Sequence, residues 1–462
     1  MKHLTAETIR TACGGILRGA PFSGELTDIV TDSRKVTPGC LFAAIRGERA
    51  DGHDYIASAF EKGAVCCLAE RIPELYRQED AASCLLLVPD TVAALQKLAG
   101  AYRREFNKIP LIGVTGSVGK TTMKEMLFSV LSRRFRVHKT EGNFNNDLGV
   151  PLTLFGLREE HEAAVVELGV SHPGDMARIA SVAAPTMAIY TNIGDAHLEY
   201  LESREGVLRE KSVLNNYLPE SGVVFCNGDD PLLSAMPCRA GLRKVLYGLG
   251  AGCDVRAAEI EMLPDGTTAC VITAGALCFR AVIPAFGEHM AGAALGAAAV
   301  GLTLGLTAEE IVDGIAAYAP VGRRARLYRA GKLTVIDDCY NANPASAAAA
   351  LRSLARLEVD GRKVAVLGDM LELGEASEAL HRETGGIARS CGIDLVLTTG
   401  AQARYIAEGA GEKIARHFGE KAELIRALGK LLAPGDAVLV KASRGARFEE
   451  VTAALETLLP PP

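Results

Sequence analysis

A glycine-rich stretch between a strand pattern and a helix pattern contains residues suited to phosphoryl chemistry. Positions 111 to 127 read LIGVTGSVGKTTMKEML, which predicts a strand, a loop and a helix start. Backbone N–H groups of such a loop point at phosphate oxygens, and the helix N-terminus adds positive potential. The strict phosphate-loop pattern begins with glycine, whereas this stretch has Val114 there. We predict that nucleotide phosphates bind to Thr115, Gly116, Ser117, Val118, Gly119, Lys120 and Thr121.

Two later strand ends carry side chains that suit a metal ion beside those phosphates. Glu167 ends an apolar run in VVELGVSHPGD, and Asp195 and His197 follow the next run, in TNIGDAHLEYL. The carboxyl ends of parallel strands meet at one edge of a sheet. In this arrangement Lys120 reaches the β and γ phosphates and the Thr121 hydroxyl holds Mg²⁺. Because Mg²⁺ prefers oxygen ligands to imidazole, we expect a further oxygen ligand.

The elements that position these residues form three blocks. Residues 1–90 contain short strand patterns, and residues 91–318 open with the amphipathic segment TVAALQKLAGAYRREFN before apolar strands alternate with helices. Residues 319–462 repeat that alternation after a helix-rich link ending near Pro320. Alternating strands and helices predict parallel sheets covered by helices. The predicted fold is α/β with three domains: a smaller N-terminal αβ domain, a central parallel-sheet domain of the P-loop ATPase type, and a C-terminal Rossmann-like αβ domain.

Composition excludes several classes of protein. The 462 residues carry a formal charge of −6, which gives no basic field for nucleic acid. The 12 cysteines are scattered without a CxxC pair, as is typical of buried, reduced thiols in a cytosol. The N-terminus lacks an apolar signal segment, and the small-apolar run from Ala291 to Leu306 is short of the roughly twenty residues that span a bilayer. We expect a cytoplasmic monomer with no membrane span.

Six motifs, in order along the chain, resemble those of the Mur ligases of peptidoglycan synthesis. They are TGSVGKTT, TEGNFNNDLGVPLTL, VVELGVSHPGDM, TNIGDAHLEYL, DDCYNANPAS and VLGDMLELGE. The resemblance extends from TDSRKVTPG near the N-terminus to VLVKASRGARFEEV near the C-terminus. It implies an ATP-dependent amide ligase that joins D-alanyl-D-alanine to UDP-N-acetylmuramoyl-tripeptide through an acyl phosphate, with ATP and two Mg²⁺ ions.

The resemblance also implies roles for individual side chains. Lys211 matches a lysine that the family carbamylates with CO₂, and a carbamate is an oxygen-donor anion of the kind Mg²⁺ prefers. Without the resemblance, Lys211 reads as an ordinary exposed helix lysine. The implied catalytic residues are Lys120, Glu167, His197 and Lys211. The implied metal ligands are Thr121, Glu167, His197 and the Lys211 carbamate.

Further nucleotide contacts are implied in the third block. Arg323 matches the arginine of a Gly-Arg pair, and its planar cationic fork suits phosphate oxygens. Asp338 resembles the acceptor for the ribose hydroxyls, with Asn341 as a neighbouring contact. The same residues also read as a turn and a helix cap without a ligand.

The substrate side is implied by the first block and by one later loop. Ser33 and Arg34 match the uridine-side motif, with Arg34 as a partner for the diphosphate. Asn143, Asn145 and Asn146 match a segment resembling the sugar-peptide cradle, although asparagines in loops commonly serve turns. The motifs GDMLELGE and KASRGAR are expected near the incoming dipeptide.

The sequence departs from the family pattern at three positions. Met290 and Ala293 replace two asparagines that read the adenine edge, and Val213 replaces an acid near Lys211. The alternatives are a folylpolyglutamate synthetase, the ligase that adds the third stem residue, or a non-catalytic nucleotide-binding protein. The sequence leaves open whether the tripeptide ends in lysine or diaminopimelate.

Overall fold

Three β-sheets follow one another along the chain. The computed structural model describes residues 1, 3–47, 49–72 and 83–458, and in these ranges its strands form sheets of five, nine and six strands. The predicted α/β class with three domains is confirmed. The boundaries predicted near residues 90 and 318 stay predictions.

The first sheet is small and mainly parallel. Its elements are α1 (Ala6–Cys13), β1 (Ile16–Arg18), β2 (Ile29–Val30), β3 (Leu41–Ala43), α2 (Ile56–Glu61), β4 (Cys66–Ala69) and β5 (Cys84–Leu87). The strand order is β1-β5-β4-β3-β2, and β1 alone pairs antiparallel. Strands β3 and β4 are buried on both faces, which explains their continuous apolar sequences.

The middle sheet carries the glycine-rich loop. Its helices are α3 (Thr91–Glu105), α4 (Lys120–Leu131), α5 (Gly149–Phe155), α6 (Asp175–Ala183), α7 (Leu198–Leu201), α8 (Arg204–Ser212), α9 (Pro231–Ala235), α10 (Met290–Thr303) and α11 (Ala308–Ala316). Its strands are β6 (Leu111–Thr115), β7 (Val137–Lys139), β8 (Ala163–Glu167), β9 (Met187–Tyr190), β10 (Val223–Asn227), β11 (Arg243–Gly248), β12 (Val255–Met262), β13 (Thr268–Ala274) and β14 (Leu277–Ile283).

Strand β6 lies inside the middle sheet, between β8 and β9. The order is β14-β13-β12-β11-β10-β9-β6-β8-β7, so the chain leaves β6 towards β7 and β8 on one side and later towards β9 and β10 on the other. Such a switch in strand order opens a crevice at the carboxyl ends of the strands, where α/β proteins bind ligands. The antiparallel pairing of β12, β13 and β14 was not predicted from the sequence.

The third sheet repeats the α/β pattern. Its elements are β15 (Arg326–Ala330), β16 (Leu333–Asp337), α12 (Pro344–Arg356), β17 (Lys363–Leu367), α13 (Ser377–Ser390), β18 (Leu395–Thr399), α14 (Arg404–Ala410), β19 (Ala415–Phe418), α15 (Lys421–Leu431), β20 (Ala437–Lys441) and α16 (Glu449–Leu458). The order is β15-β16-β20-β17-β18-β19, with β15 antiparallel and the rest parallel.

The first two sheets share an apolar core, whereas the third sheet has its own cores. One core joins the first and middle sheets, and it includes Leu26, Leu86, Leu98, Leu154 and Leu168. The third sheet has separate cores on its two faces. All twelve cysteines are free thiols in the structure, and most are buried. Among the described residues, no helix combines the length and apolar content needed to cross a bilayer.

Candidate active site

The glycine-rich loop links the end of β6 to the start of α4. Gly116 has φ of 147°, and a Cβ built on it would lie 1.9 Å from Thr191 Oγ1. Gly119 precedes α4 with φ of 80°. Both positions need glycine, because side chains rarely tolerate such backbone angles. The loop therefore has the predicted conformation, at the carboxyl edge between β8 and β9.

Asn192 holds the loop against the end of β9. Its Oδ1 accepts a hydrogen bond from Val118 N at 2.9 Å, and its Nδ2 donates to Val118 O at 3.1 Å. Its backbone oxygen also accepts from Ser117 N at 3.0 Å. These bonds leave the N–H groups at the start of α4, from Gly119 to Thr121, for an anion. Sequence reasoning missed Asn192, although it directly follows a buried strand.

Lys120 folds back over the loop. Its Nζ donates to Gly116 O at 2.8 Å and Ser117 O at 3.3 Å. Burial lowers the pKa of Lys120, the carboxylate of Glu167 acts in the opposite direction, and the positive charge of Arg324 lowers the pKa further. Glu167 belongs to the same cluster as Lys120, because its carboxylate accepts a hydrogen bond from the adjacent Thr121.

Glu167 ends β8 and is 2% exposed. One carboxylate oxygen accepts from Thr121 Oγ1 at 2.9 Å, and the other accepts from Asn145 Nδ2 at 2.8 Å. Its backbone N–H donates to Thr140 Oγ1 at 3.0 Å. The structure thus brings together three predicted residues, Thr121, Asn145 and Glu167, from three separate segments.

Two further predicted residues lie at the same edge. Lys211 on α8 is buried, and burial together with the charge of Lys120 holds its pKa well below the usual value. His197 caps α7, and burial, with the charges of Lys211 and Lys120, lowers its pKa to about 4. At neutral pH the imidazole is therefore uncharged. The charges of Lys120 and Lys211 both act on His197, so the three side chains belong to one electrostatic cluster.

Among the described residues, this cluster does not form a complete metal site by itself. Within the described residues, no three His, Cys, Asp or Glu side chains converge as a self-contained metal site. Glu167 and the Thr121 hydroxyl do present adjacent oxygens, and the His197 imidazole, uncharged at neutral pH, adds a nitrogen donor. Oxygen donors beside a phosphate loop suit Mg²⁺, which takes the rest of its ligands from nucleotide phosphates and water. The residues present fit such an ion.

The third sheet brings a second group of predicted residues. Arg323 Nη1 donates to Asp337 Oδ2 at 2.7 Å. Asp338 accepts from Lys441 Nζ at 2.5 Å and from Ala325 N at 3.1 Å. Asn341 lies beside this pair, because its backbone oxygen accepts from Lys441 Nζ at 3.1 Å.

The neighbouring arginine was missed by sequence reasoning. The guanidinium of Arg324 lies 3.9 Å from the ring centroid of Tyr340, and that of Arg444 lies 5.5 Å from the same ring. The charge of Arg324 also acts on Lys120 of the phosphate loop. The signal available in the sequence was the second arginine of Gly-Arg-Arg, directly after Arg323.

Comparisons with known proteins agree with this geometry. Family models match three consecutive segments: "Mur ligase family, catalytic domain" at residues 25–103, "Mur ligase middle domain" at 114–301, and "Mur ligase, glutamate ligase domain" at 322–444. A Bacillus subtilis (strain 168) protein named UDP-N-acetylmuramoyl-tripeptide--D-alanyl-D-alanine ligase is 39% identical, with 92% of each chain covered. The Escherichia coli (strain K12) protein of that name is 37% identical, with 99% of each covered.

This chain belongs to the Mur ligase family.

Solved structures support the same assignment. A crystal structure of MurF from Acinetobacter baumannii superimposes with a TM-score of 0.89 at 33% identity, covering 98% of each chain. The MurF ligase from Thermotoga maritima in complex with ADP gives 0.83 at 30% identity, covering 94% of this chain and 97% of that one. The family predicted from the sequence of this Mur ligase is confirmed.

The predicted substrate residues of this Mur ligase lie in two places. Ser33 and Arg34 form a 3₁₀ turn after β2, where Arg34 is largely exposed and pairs with Asp32 at 2.8 Å. Asn145 O accepts from Gly169 N, and Asn146 Oδ1 accepts from Gly149 N at 2.8 Å. In the same loop, Asn143 O accepts from Asn145 N at 2.8 Å. These hydrogen bonds shape the loop, and the side chain of Asn145 connects it to Glu167.

Proposed function

We propose that this Mur ligase joins D-alanyl-D-alanine to UDP-N-acetylmuramoyl-tripeptide, with ATP converted to ADP and phosphate. The observation that carries the proposal is the convergence of Lys120, Thr121, Glu167, His197 and Lys211 on the crevice beside β6. Curated relatives that cover more than 90% of this chain have this activity in their names, and a solved relative binds ADP.

The first step activates the tripeptide. A terminal carboxylate oxygen of the substrate attacks the γ-phosphorus of ATP, the bond to the β–γ bridging oxygen breaks, and an acyl phosphate and ADP form. Attack by one anion on another requires neutralisation of charge. Lys120 supplies it at the β and γ phosphates, and Arg324 brings a second cation from the third sheet. The N–H groups at the start of α4 hold the phosphate oxygens.

The second step forms the amide bond. The amine of D-alanyl-D-alanine attacks the acyl carbon, the amine loses a proton, and phosphate leaves from the tetrahedral intermediate. No covalent enzyme nucleophile takes part. Closure of the third sheet over the crevice excludes water, which would otherwise hydrolyse the acyl phosphate.

Side chains already at the crevice would hold the metal ions. Thr121 and Glu167 would hold one Mg²⁺, and His197 and modified Lys211 would hold a second. When bound, the ions neutralise phosphate charge and polarise the transferred phosphoryl group. Asn145 keeps the Glu167 carboxylate turned towards Thr121 by occupying its other oxygen.

Lys211 is proposed to act as a carbamate. Burial and the charge of Lys120 lower its pKa, which favours the neutral amine, and among the described residues it forms no ion pair. The neutral amine attacks the carbon of CO₂, the nitrogen loses a proton, and an anionic oxygen donor replaces a cation. Such an anion reduces the repulsion between Lys211 and Lys120 and provides the oxygen ligand that Mg²⁺ prefers.

Substrate contacts complete the proposal. Arg323, Asp338 and Asn341 bind the nucleotide from the third sheet, with Arg324 added to this group. Ser33 and Arg34 bind the uridine diphosphate side. Asn143, Asn145 and Asn146 cradle the sugar-peptide. A monomeric state and a cytoplasmic location remain predictions, the second supported by the free thiols.

A phosphate-release assay tests the activity. The enzyme is given ATP, Mg²⁺ and UDP-N-acetylmuramoyl-tripeptide, with either D-alanyl-D-alanine or a single amino acid such as glutamate. We expect release that requires both substrates and prefers the dipeptide. Preference for another acceptor, or release without either substrate, would overturn the assignment.

Labelling with ¹³C-bicarbonate tests the carbamate separately. The wild-type enzyme should show a carbamate carbon by NMR, and Lys211→Arg should not, because a guanidinium stays protonated. Lys97→Arg, at an exposed position on α3, is the matched control and should keep the signal. A signal that survives in Lys211→Arg would contradict the modification at this residue.

A further inference from the structure

A contact between His197 and Glu372 joins the middle sheet to the third. Nδ1 of His197 lies 2.8 Å from Oε2 of Glu372. The two residues have φ of 57° and 63°, a region that costs a non-glycine residue about 1–3 kcal/mol and that clusters at functional sites. Nearby, a Cβ on Gly374 would approach Glu199 Cα of α7 to 3.8 Å. Two strained residues therefore face each other across the interface.

The turn that carries Glu372 is fixed to the third sheet. Met370 N donates to His381 Nε2 at 3.0 Å, and Leu371 N donates to Ser443 Oγ at 3.0 Å. Both bonds lie immediately before Glu372 in the chain. The position of its carboxylate thus follows the position of the third sheet, rather than that of a free loop.

His197 needs a partner at Nδ1. This atom is buried, and no hydrogen bond reaches it within the described part of the chain. Glu372 is within ion-pair distance, although the direction of the contact is not that of a hydrogen bond. A histidine that binds a metal through one nitrogen almost always donates its other N–H to a carboxylate, a carbonyl or water, and this fixes the ring. Glu372 is in place to be that carboxylate.

We propose that Glu372 is a positioning residue that accepts the Nδ1 proton of His197 and so orients the ring to bind Mg²⁺ through Nε2. The inference rests on the proposed function, in which His197 is a metal ligand. Because the carboxylate belongs to the third sheet, the second metal gains its full affinity only when that sheet is closed over the crevice. By reciprocity, metal and nucleotide then favour the closed arrangement.

Metal binding tests this inference without turnover. Mn²⁺ is titrated by electron paramagnetic resonance into the full chain with a non-hydrolysable ATP analogue. The proteins are wild type, Glu372→Ala, Glu372→Gln, His197→Ala and the double variant Glu372→Ala/His197→Ala. Glu375→Gln is the matched control, since Glu375 is an exposed carboxylate three residues further along the same turn. Glu372 is itself exposed, so Glu372→Ala and Glu372→Gln should keep the wild-type melting temperature.

The expected result is two Mn²⁺ sites in the wild type and in Glu375→Gln. Glu372→Ala should weaken one site by 10- to 100-fold, the effect of losing a partner of a metal-ligating histidine. Glu372→Gln, which keeps an acceptor oxygen, should weaken it less. The double variant should lose no more than His197→Ala, because the two residues act through one ring.

Two outcomes would overturn the inference in different ways. Wild-type Mn²⁺ affinity in Glu372→Ala refutes the role of Glu372 and leaves the proposed function standing. That conclusion holds even if turnover of Glu372→Ala falls, since Glu372 would then act on the incoming amine and not on the metal. A single Mn²⁺ site in the wild type refutes the two-metal proposal and this inference together.

Discussion

The buried cation Lys124 offers a prediction whose size follows from its contacts. Lys124 on α4 is 1% exposed, and its Nζ lies 2.7 Å from Thr140 O, 3.0 Å from Glu125 Oε1 and 3.4 Å from Gly142 O. Substitution by methionine keeps the volume and removes the charge. Thr140 in turn contacts the proposed metal ligand Glu167, because Thr140 Oγ1 accepts a hydrogen bond from Glu167 N. The substitution therefore tests whether Lys124 stabilises the position of Glu167 through Thr140.

Lys124→Met should lower the free energy of unfolding by about 2–3 kcal/mol. Breaking a buried ion pair costs ~3–5 kcal/mol when the remaining charge is left alone. Glu125 keeps a second partner, Lys139 Nζ at 2.5 Å, so most of that cost is avoided. What remains is mainly the charge-assisted hydrogen bond to Thr140 O, worth ~1.5–3 kcal/mol, because the contact with Gly142 is long.

Lys139→Met is the matched control in urea unfolding and Mg²⁺ titration. It removes the other cation on Glu125 but leaves both carbonyl contacts of Lys124 and its pair with Glu125, so we expect a loss of only about 1 kcal/mol, the net value of a typical hydrogen bond. Lys124→Met should also raise the Mg²⁺ concentration for half-maximal turnover, whereas Lys139→Met should not. Equal losses in the two variants, or an unchanged Mg²⁺ requirement in Lys124→Met, would refute this reasoning.

Three further predictions follow from the site and its surroundings. Gly116→Ala should abolish binding of a fluorescent ATP analogue, because its Cβ would clash with Thr191; near-wild-type affinity would contradict the loop geometry. Arg324→Ala should raise KM for ATP about tenfold, as for loss of a charge-assisted contact, and more than Arg323→Ala does; steady-state kinetics showing the reverse order would identify Arg323 as the phosphate contact. Burial lowers the pKa of His138 to about 4, whereas the unfolded value is near 6.5. Between these two values the unfolded chain binds more protons than the folded one, so the free energy of unfolding falls by up to about 3 kcal/mol as the pH decreases from about 6.5 to about 4. Urea unfolding of His138→Gln should show a shallower fall with pH, and an unchanged slope would exclude His138 as the cause.

The local sequence predicted the buried strands of the parallel sheets and the loop that follows β6. The runs ending at Thr115 and Glu167 are apolar throughout because both faces of their strands are buried, and the glycines of the phosphate loop are required by backbone angle. Strands β12 to β14 were missed, since β12 alternates buried and exposed residues with a bulge after Ala258.

Side-chain partners fixed by tertiary structure were beyond the sequence. Lys124 reads as a surface lysine of an amphipathic helix, and only its position over the segment from Thr140 makes it a buried cation. Asn192 and Glu372 each act on residues more than 70 positions away along the chain, so no local pattern marks them. Lys211 was predicted only through family resemblance, because a buried lysine without an ion pair contradicts the usual preference of its residue type.

The unequal division of the apolar cores has a consequence for dissection of the chain. A fragment that begins near residue 320 keeps nearly all of both cores, losing Phe286 from the buried members in the described part of the chain, so it should express as a folded unit and suit crystallisation or fragment screening by itself. Cutting near residue 90 would instead split one core and expose leucines on both pieces. The useful break point in this molecule is therefore the second boundary.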